Sequence, residues 1–335
     1  MSETKQDTVW IEFHSPNEIK SFELPPNLIL VGDSHIQRGA FCVIGGAPGV
    51  GKSRAAMALA IAGATGENWL DLQVPNKFRT MIIQNENGKA RLKKDFETIN
   101  CSEFEQYIRI CSPPPYGMAF EVSEFVEALR EKIKQFNPDV VIFDPWNSIV
   151  GDDKQSDYLK AFNLIRSVIP VSDTGAAIVI VAHTRKPRDE EKATGRDLMN
   201  LLSGSHVLVS VPRSVFVMFS ESPEVDDDNI VWTCCKNNDG IMNAPTVWSR
   251  SHLPFEYVGE YDPKEQTGKK RITITIDDVK KVLQLMPGTL PRKQLVLILK
   301  KQTTASPAAC YAALNPEGKF KDHIEENDGL LKWRD

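Results

Sequence analysis

From Phe41 onward, short apolar runs alternate with longer stretches of helical spacing. The runs are FCVIGG from Phe41, TMIIQNE from Thr80, VVIFDPW from Val140, AAIVIVAH from Ala176 and SVFVMF from Ser214. Uninterrupted apolar runs of this length, rich in β-branched residues and separated by helices, predict strands of a mostly parallel sheet covered on both faces. After Ser220 the rhythm changes. NIVWTCCK and PTVWSRS flank the turn-prone NNDGIMN, which predicts antiparallel strands added at the edge of that sheet.

The same pattern divides the chain. Residues 1–37 hold a small Trp10, Ile11, Phe13 cluster and a Pro25-Pro26 break, and read as an N-terminal arm or lead-in strand ahead of a core over 38–260. The polar stretch EYDPKEQTGKK, with Pro263 and Gly268, supplies a linker placed at 261–270. Beyond it, Val279, Val282, Leu283 and Met286 recur at the spacing of one apolar helix face, with Asp277 and Asp278 suited to the helix start. A second helix is predicted from about Pro291 to Lys301, and a third from Ser306-Pro307 to about Leu314. The closing FKDHIEENDGLLKWRD places an Asn327-Asp328-Gly329 turn between two strand-like stretches. Three helices followed by a hairpin make 271–335 resemble a small winged-helix domain, a pattern that many small helical domains share. The expected fold class is therefore α/β, a mostly parallel sheet flanked by helices with antiparallel edge strands, plus this appendage.

Composition narrows the setting. Of 335 residues, 41% are hydrophobic and 25% charged, enough apolar material for a sizeable core. The six cysteines form no C-x-x-C pair and no zinc spacing, so no structural metal is expected. No apolar run approaches the roughly 20 residues that cross a bilayer, and the polar N-terminus lacks the layout of a secretory signal. The chain reads as cytoplasmic, with no membrane partner. Its net charge of −5 hides an asymmetry: 270–335 carries +4 and the remainder −9, so only the tail's local field favours polyanions.

Chemistry concentrates at strand ends. Gly46-Ala47-Pro48-Gly49-Val50-Gly51-Lys52-Ser53 satisfies G-x-x-x-x-G-K-[ST] between an apolar run and the helix-forming RAAMALAIAGA. Glycines let the backbone wrap so that its N–H groups face phosphate oxygens, and the helix N-terminus adds positive potential. Lys52 reaches the β and γ oxygens, and the Ser53 hydroxyl ligates magnesium. Arg54, next in the chain, is counted with this nucleotide-binding set. Asp144 ends an apolar strand and is a candidate metal ligand with Ser53, although a helix-capping aspartate would read the same by itself. Glu86 ends TMIIQNE, where a carboxylate can take a proton from a water attacking the γ-phosphate. His183 ends AAIVIVAH on the same edge, either hydrogen-bonded to the γ-phosphate or packed at a strand end. The following stretch, RKPRDEEKATGRDLMNLLSGS, is long, and Arg185, Lys186, Arg188, Lys192 and Arg196 are nearly cancelled by Asp189, Glu190, Glu191 and Asp197. It suits a nucleic-acid contact and a solvated surface loop equally.

In order and spacing these motifs resemble the RecA-like ATPases, and within them the RepA-like group of plasmid and phage replicative helicases. The resemblance covers roughly residues 30 to 250 and rests on GGAPGVGKS, ATGENWLDLQVP, TMIIQNEN, VVIFDPW, IVIVAHTRK and SGSHVLVSVPRSVFVM, with the ATG-x-x-W-L tract the most group-specific. It implies an ATPase using ATP and Mg2+, assembled as a homo-oligomeric ring, usually a hexamer, with single-stranded DNA in the channel. By position it makes Lys52 and Ser53 the phosphate and magnesium residues, Asp144 the metal ligand, Glu86 the residue acting on water and His183 the γ-phosphate sensor. Arg213 and Lys236 match places where a neighbouring subunit offers positive charge. Related helicases often carry Lys-x-Arg where this chain has Lys236-Asn237-Asn238, and the tail lies outside the helicase pattern. The implied activity is ATP hydrolysis coupled to DNA binding or translocation, with duplex contact through the tail. The alternative is an ATP-switched DNA-binding regulator without unwinding.

Overall fold

The computed structural model describes residues 11–97, 99–150, 154–186, 193–202, 204, 206–221, 228–261, 274–285, 290–303, 310–311, 313–316, 318–327 and 330–334. The chain forms two compact units, Met1–Phe219 with Trp232–Val258, and Ser220–Val231 with Gly259–Asp335.

In the larger unit a short antiparallel pair, β1 (Ile29–Val31) and β2 (Ile36–Gln37), precedes the main sheet. That sheet is built from β3 (Phe41–Gly46), β4 (Thr80–Gln84), β5 (Ile108–Ile110), β6 (Val140–Asp144), β7 (Ala177–His183), β8 (Ser214–Ser220), β9 (Asn229–Asn237), β10 (Thr246–Ser249) and β11 (Glu256–Glu260). Their order is β11-β10-β9-β8-β3-β7-β6-β4-β5. The run from β8 to β5 is parallel throughout. Backbone bonds from Asn238 to Arg213 and from Glu221 to Asn229 set β9 antiparallel to β8. This is the mostly parallel α/β arrangement expected from the sequence, with its antiparallel edge.

All residues of β3, β4 and β6 are buried, the outcome predicted for apolar runs between two helical layers. β5 and β11 escaped the sequence reading because they are short and partly exposed, and so carry no apolar run. The six-residue helix Pro16–Ser21, closed by a Ser15/Glu18 capping box, was also unforeseen in a segment read as an arm.

The helix Lys52–Thr65 is buried on nearly all sides, as its alanine-rich sequence permits. It ends at Gly66, whose φ of 81° lets its N–H reach the Ala62 carbonyl at 2.8 Å. The Trp69 indole then returns to donate to the Ala55 carbonyl at 3.0 Å and packs edge-on against Trp232 and Phe216. The ATG-x-x-W-L tract thus pins the helix that carries the phosphate loop.

In the smaller unit, helices Ile276–Leu285 and Arg292–Thr303 and the antiparallel pair β12 (Ile324–Asn327) and β13 (Leu330–Trp333) surround a core of Val279, Val282, Leu283, Leu295, Leu299 and Leu331. Thr275 and Asp278 exchange N-terminal hydrogen bonds that start the first helix. Most of the third predicted helix, the start at Ser306-Pro307 included, lies outside the described residues, as do most of the 261–270 linker, residues 1–10 of the arm, and Arg188 and Lys192 of the long loop.

Candidate functional site

Parallel pairing puts the C-terminal ends of β3, β7, β6 and β4 on one edge. Gly46 lies opposite His183 and Gln84 opposite Asp144, so the register fixes which side chains meet there. Ligands of open α/β sheets bind at this edge.

The loop Gly46–Gly51 turns sharply between β3 and the helix. Gly49 and Gly51 adopt φ of 77° and 107°, conformations that disfavour any residue with a Cβ, and Gly51 leads directly into the helix at Lys52. The buried Lys52 ammonium donates to the Ala47 carbonyl at 2.9 Å and lies 3.1 Å from His183 Nδ1. Burial pushes Lys52 down to about 8, against the attraction of Asp144 and Glu86. Burial likewise raises Asp144, only 5% exposed, to about 6; the Ser53 hydroxyl that donates to it and the Lys52 charge oppose the rise, and Glu86 adds to it. His183 is lowered by burial first and by Lys52 second. These shifts couple Lys52, Ser53, Asp144, Glu86 and His183 into one site.

Ser53 and Asp144 fit a magnesium ion. Both offer oxygen to a hard cation, they already touch each other, and a cavity of about 40 Å³ lies against them, walled also by Gln84 and Asn87. The buried carboxylate has a charge that such a cation would balance.

Glu86 needs a correction of place. The strand stops at Gln84, and Glu86 sits two residues beyond it in an exposed turn. The buried Gln84 amide holds that turn: Oε1 accepts from the Glu86 and Asn87 N–H groups at 3.2 and 2.6 Å, and Nε2 donates to the Asn87 and Cys111 carbonyls at 2.7 Å each. The Asn85 N–H donates to the Asp144 carbonyl at 3.1 Å, tying the turn to the end of β6.

Arg54 is engaged by protein groups. It faces the Phe255 ring, forms a 3.8 Å ion pair with Asp95 and donates to the Arg250 carbonyl. Arg250 in turn donates to the Gly49 carbonyl, and Arg250 and Phe255 both approach Gly51. The segment after β10 therefore covers the phosphate loop. Sequence reading missed it because SRSHLPF carries no motif.

Arg213 and Lys236 are not brought to this edge. The Arg213 N–H donates to the carbonyl of Phe41, the first residue of β3, and its guanidinium pairs with Asp239 through Nε and Nη2. Lys236 donates to the carbonyls of Val209, Ser210 and Pro212, closing the short helix Val207–Ser210. In the loop after His183, the Arg185 N–H donates to the Leu201 carbonyl at 2.7 Å and Thr184 bridges Leu202, so the two ends of that loop are drawn together. Among the described residues no helix is long and apolar enough to cross a membrane.

Residues 8–189 match the family model AAA_25, described as an AAA domain. The matched stretch includes Lys52, Ser53, Glu86, Asp144 and His183 and ends before Arg213 and Lys236. No curated protein sequence matches the chain. Among solved structures it is similar to the KaiC-like protein PH0186 from Pyrococcus horikoshii OT3, at 14% identity and a TM-score of 0.46, covering 68% of this chain and 94% of that one. It is also similar to the RadB recombinase, at 10% identity and a TM-score of 0.47, covering 68% of this chain and 96% of that one.

Proposed function

The chain belongs to the AAA domain family of P-loop ATPases, and from that premise we propose a magnesium-dependent ATP hydrolase that couples hydrolysis to DNA binding or translocation. The observation that carries the reading is the convergence of Lys52, Ser53, Asp144, Glu86 and His183 on one sheet edge.

Each residue has a distinct task. The amides of Gly46–Ser53 and the Lys52 ammonium hold the β and γ phosphates. Ser53 and Asp144 would hold the magnesium ion, which neutralises charge on the phosphoryl oxygens. Glu86 accepts the proton of the attacking water, and His183 registers the γ-phosphate at the head of the loop it begins.

The finer reading is a ring-forming helicase of RepA-like type, a cytoplasmic homo-hexamer with single-stranded DNA held by channel loops and Arg213 and Lys236 offered to the next subunit's ATP. Its support is the distance of Arg213 from its own phosphate loop. Domain limits of 38–260 for the core, 261–270 for the linker and 271–335 for a winged-helix-like domain belong to the same reading. ATP turnover measured with and without single-stranded DNA, alongside solution mass, tests it. Stimulation in an assembled ring supports it, and unstimulated turnover by a monomer rejects it.

The helix pair and hairpin of the smaller unit favour one alternative, an ATP-switched regulator whose tail reads duplex DNA. Unwinding of a forked duplex separates the two, because only the helicase needs directional stepping.

A further inference from the structure

Gln84 has no assigned role, yet its amide is the most completely used polar side chain near the site. Both acceptor positions and both donor hydrogens are engaged, and the partners, an N–H and a carbonyl of Asn87 among them, fix which end is which. The side chain is 2% exposed, so its amide is costly to leave unpaired. Its targets are revealing. Three of the four bonds go to the backbone of Glu86 and Asn87; the fourth goes to Cys111, itself anchored to the sheet by its N–H on the Ile82 carbonyl. An exposed turn that no strand pairing would hold is thereby fastened to a rigid strand end, opposite Asp144 in register.

We propose that Gln84 is the positioning residue for Glu86, holding the turn so that the carboxylate stands at a fixed distance from the phosphate loop and the Ser53/Asp144 pair. The inference rests on the reading of Glu86 as the base for water. Asn85, tied to the Asp144 carbonyl and to Ser148 Oγ, fixes one side of the turn; Gln84 fixes the other, where Glu86 leaves it. Displacing a reacting group by about 1 Å can cost up to about a hundredfold in rate without weakening substrate binding.

The test combines Gln84→Leu, which keeps the side chain's bulk and removes all four bonds, with Glu86→Gln. Gln84→Leu is expected to lower kcat by about ten- to a hundredfold while affinity for ATP changes less than about threefold. The double variant is expected to be no slower than Glu86→Gln alone, since a residue acting only through Glu86 has nothing further to lose. Gln84→Met, which keeps the unbranched stem and likewise removes all four bonds, should match Gln84→Leu, and it carries the test if the leucine variant does not fold. Wild-type kcat in the folded Gln84 variants, with Glu86→Gln inactive, overturns the positioning role alone. Losses that multiply in the double variant overturn it too, because Gln84 would then act independently. Full turnover in Glu86→Gln removes the base reading and this inference with it.

Discussion

The Lys52 ammonium and the His183 ring share a hydrogen bond of 3.1 Å between Nζ and Nδ1. A charged lysine only donates, so Nδ1 accepts and the proton of the neutral imidazole sits on Nε2. Lys52 is thus satisfied by two protein acceptors, the Ala47 carbonyl and His183. On the proposed function, a bound β/γ-phosphate would replace both and free the histidine at the head of its loop.

Lys52→Ala is expected to abolish measurable ATP hydrolysis, since its buried ammonium lies beside the phosphate loop with Asp144, Glu86 and His183. Loss of such a charge in phosphoryl transfer costs about three powers of ten or more. Turnover within tenfold of wild type would refute the assignment.

As the proposed magnesium ligand, Asp144 weakens the fold wherever its buried charge has no cation to balance it. Its folded pKa of about 6 exceeds the ordinary 3.8, so the stability it allows is full below 3.8 and is lost as pH rises through 6. At pH 7.5 without magnesium, Asp144→Asn should therefore stabilise the protein, by about 1 to 3 kcal/mol. It should also remove the magnesium dependence of ATP binding. Thermal unfolding with and without magnesium checks both, and a variant less stable than wild type in the absence of metal would contradict the argument.

His35 gives the opposite pH dependence. Its ring is 1% exposed, stacks on Phe216 and accepts the Asp33 N–H at Nδ1 over 3.1 Å. Burial lowers its pKa, with Asp71 and Asp33 pulling the other way. The unfolded chain then takes up the proton first, so stability is full above 6.5 and declines as pH falls below it. The difference in unfolding free energy between wild type and His35→Phe should shift against wild type between pH 7.5 and 5.5. A pH-independent difference would sink the idea.

Much of the fold was legible because its strands are buried on both faces, which leaves no polar interruption in runs such as Val140–Asp144. Lys52, Ser53, Asp144 and His183 could be singled out as candidates because strand ends and a glycine-rich turn leave local signatures. Gln84, Arg250 and Phe255 could not. Their meaning comes from contacts between segments distant in sequence, such as Arg250 with Gly49, and no spacing encodes those. Glu86 was singled out as a candidate by its chemistry and placed at the strand end, two residues past where the strand stops, because a buried glutamine followed by Asn85 gives no sign that pairing has ended.

The remaining prediction concerns Arg213, which stands beside the first residue of β3 while the phosphate loop leaves the last. Five residues of strand separate them, roughly 17 Å at about 3.3 Å each, so the guanidinium cannot serve its own site. If it serves the next subunit's, Arg213→Ala should bind ATP nearly normally and hydrolyse it slowly, because the missing charge matters most in the transition state. Asp239→Asn provides the control, since it frees the arginine from its ion pair without removing it. That variant should keep wild-type turnover or exceed it. Mixing decides the matter. Arg213→Ala subunits mixed with Lys52→Ala subunits create interfaces that pair an intact phosphate loop with an intact arginine, and activity should reappear there. No recovery despite demonstrated co-assembly, or full activity of a strictly monomeric wild-type protein, would show that Arg213 holds Asp239 and nothing more.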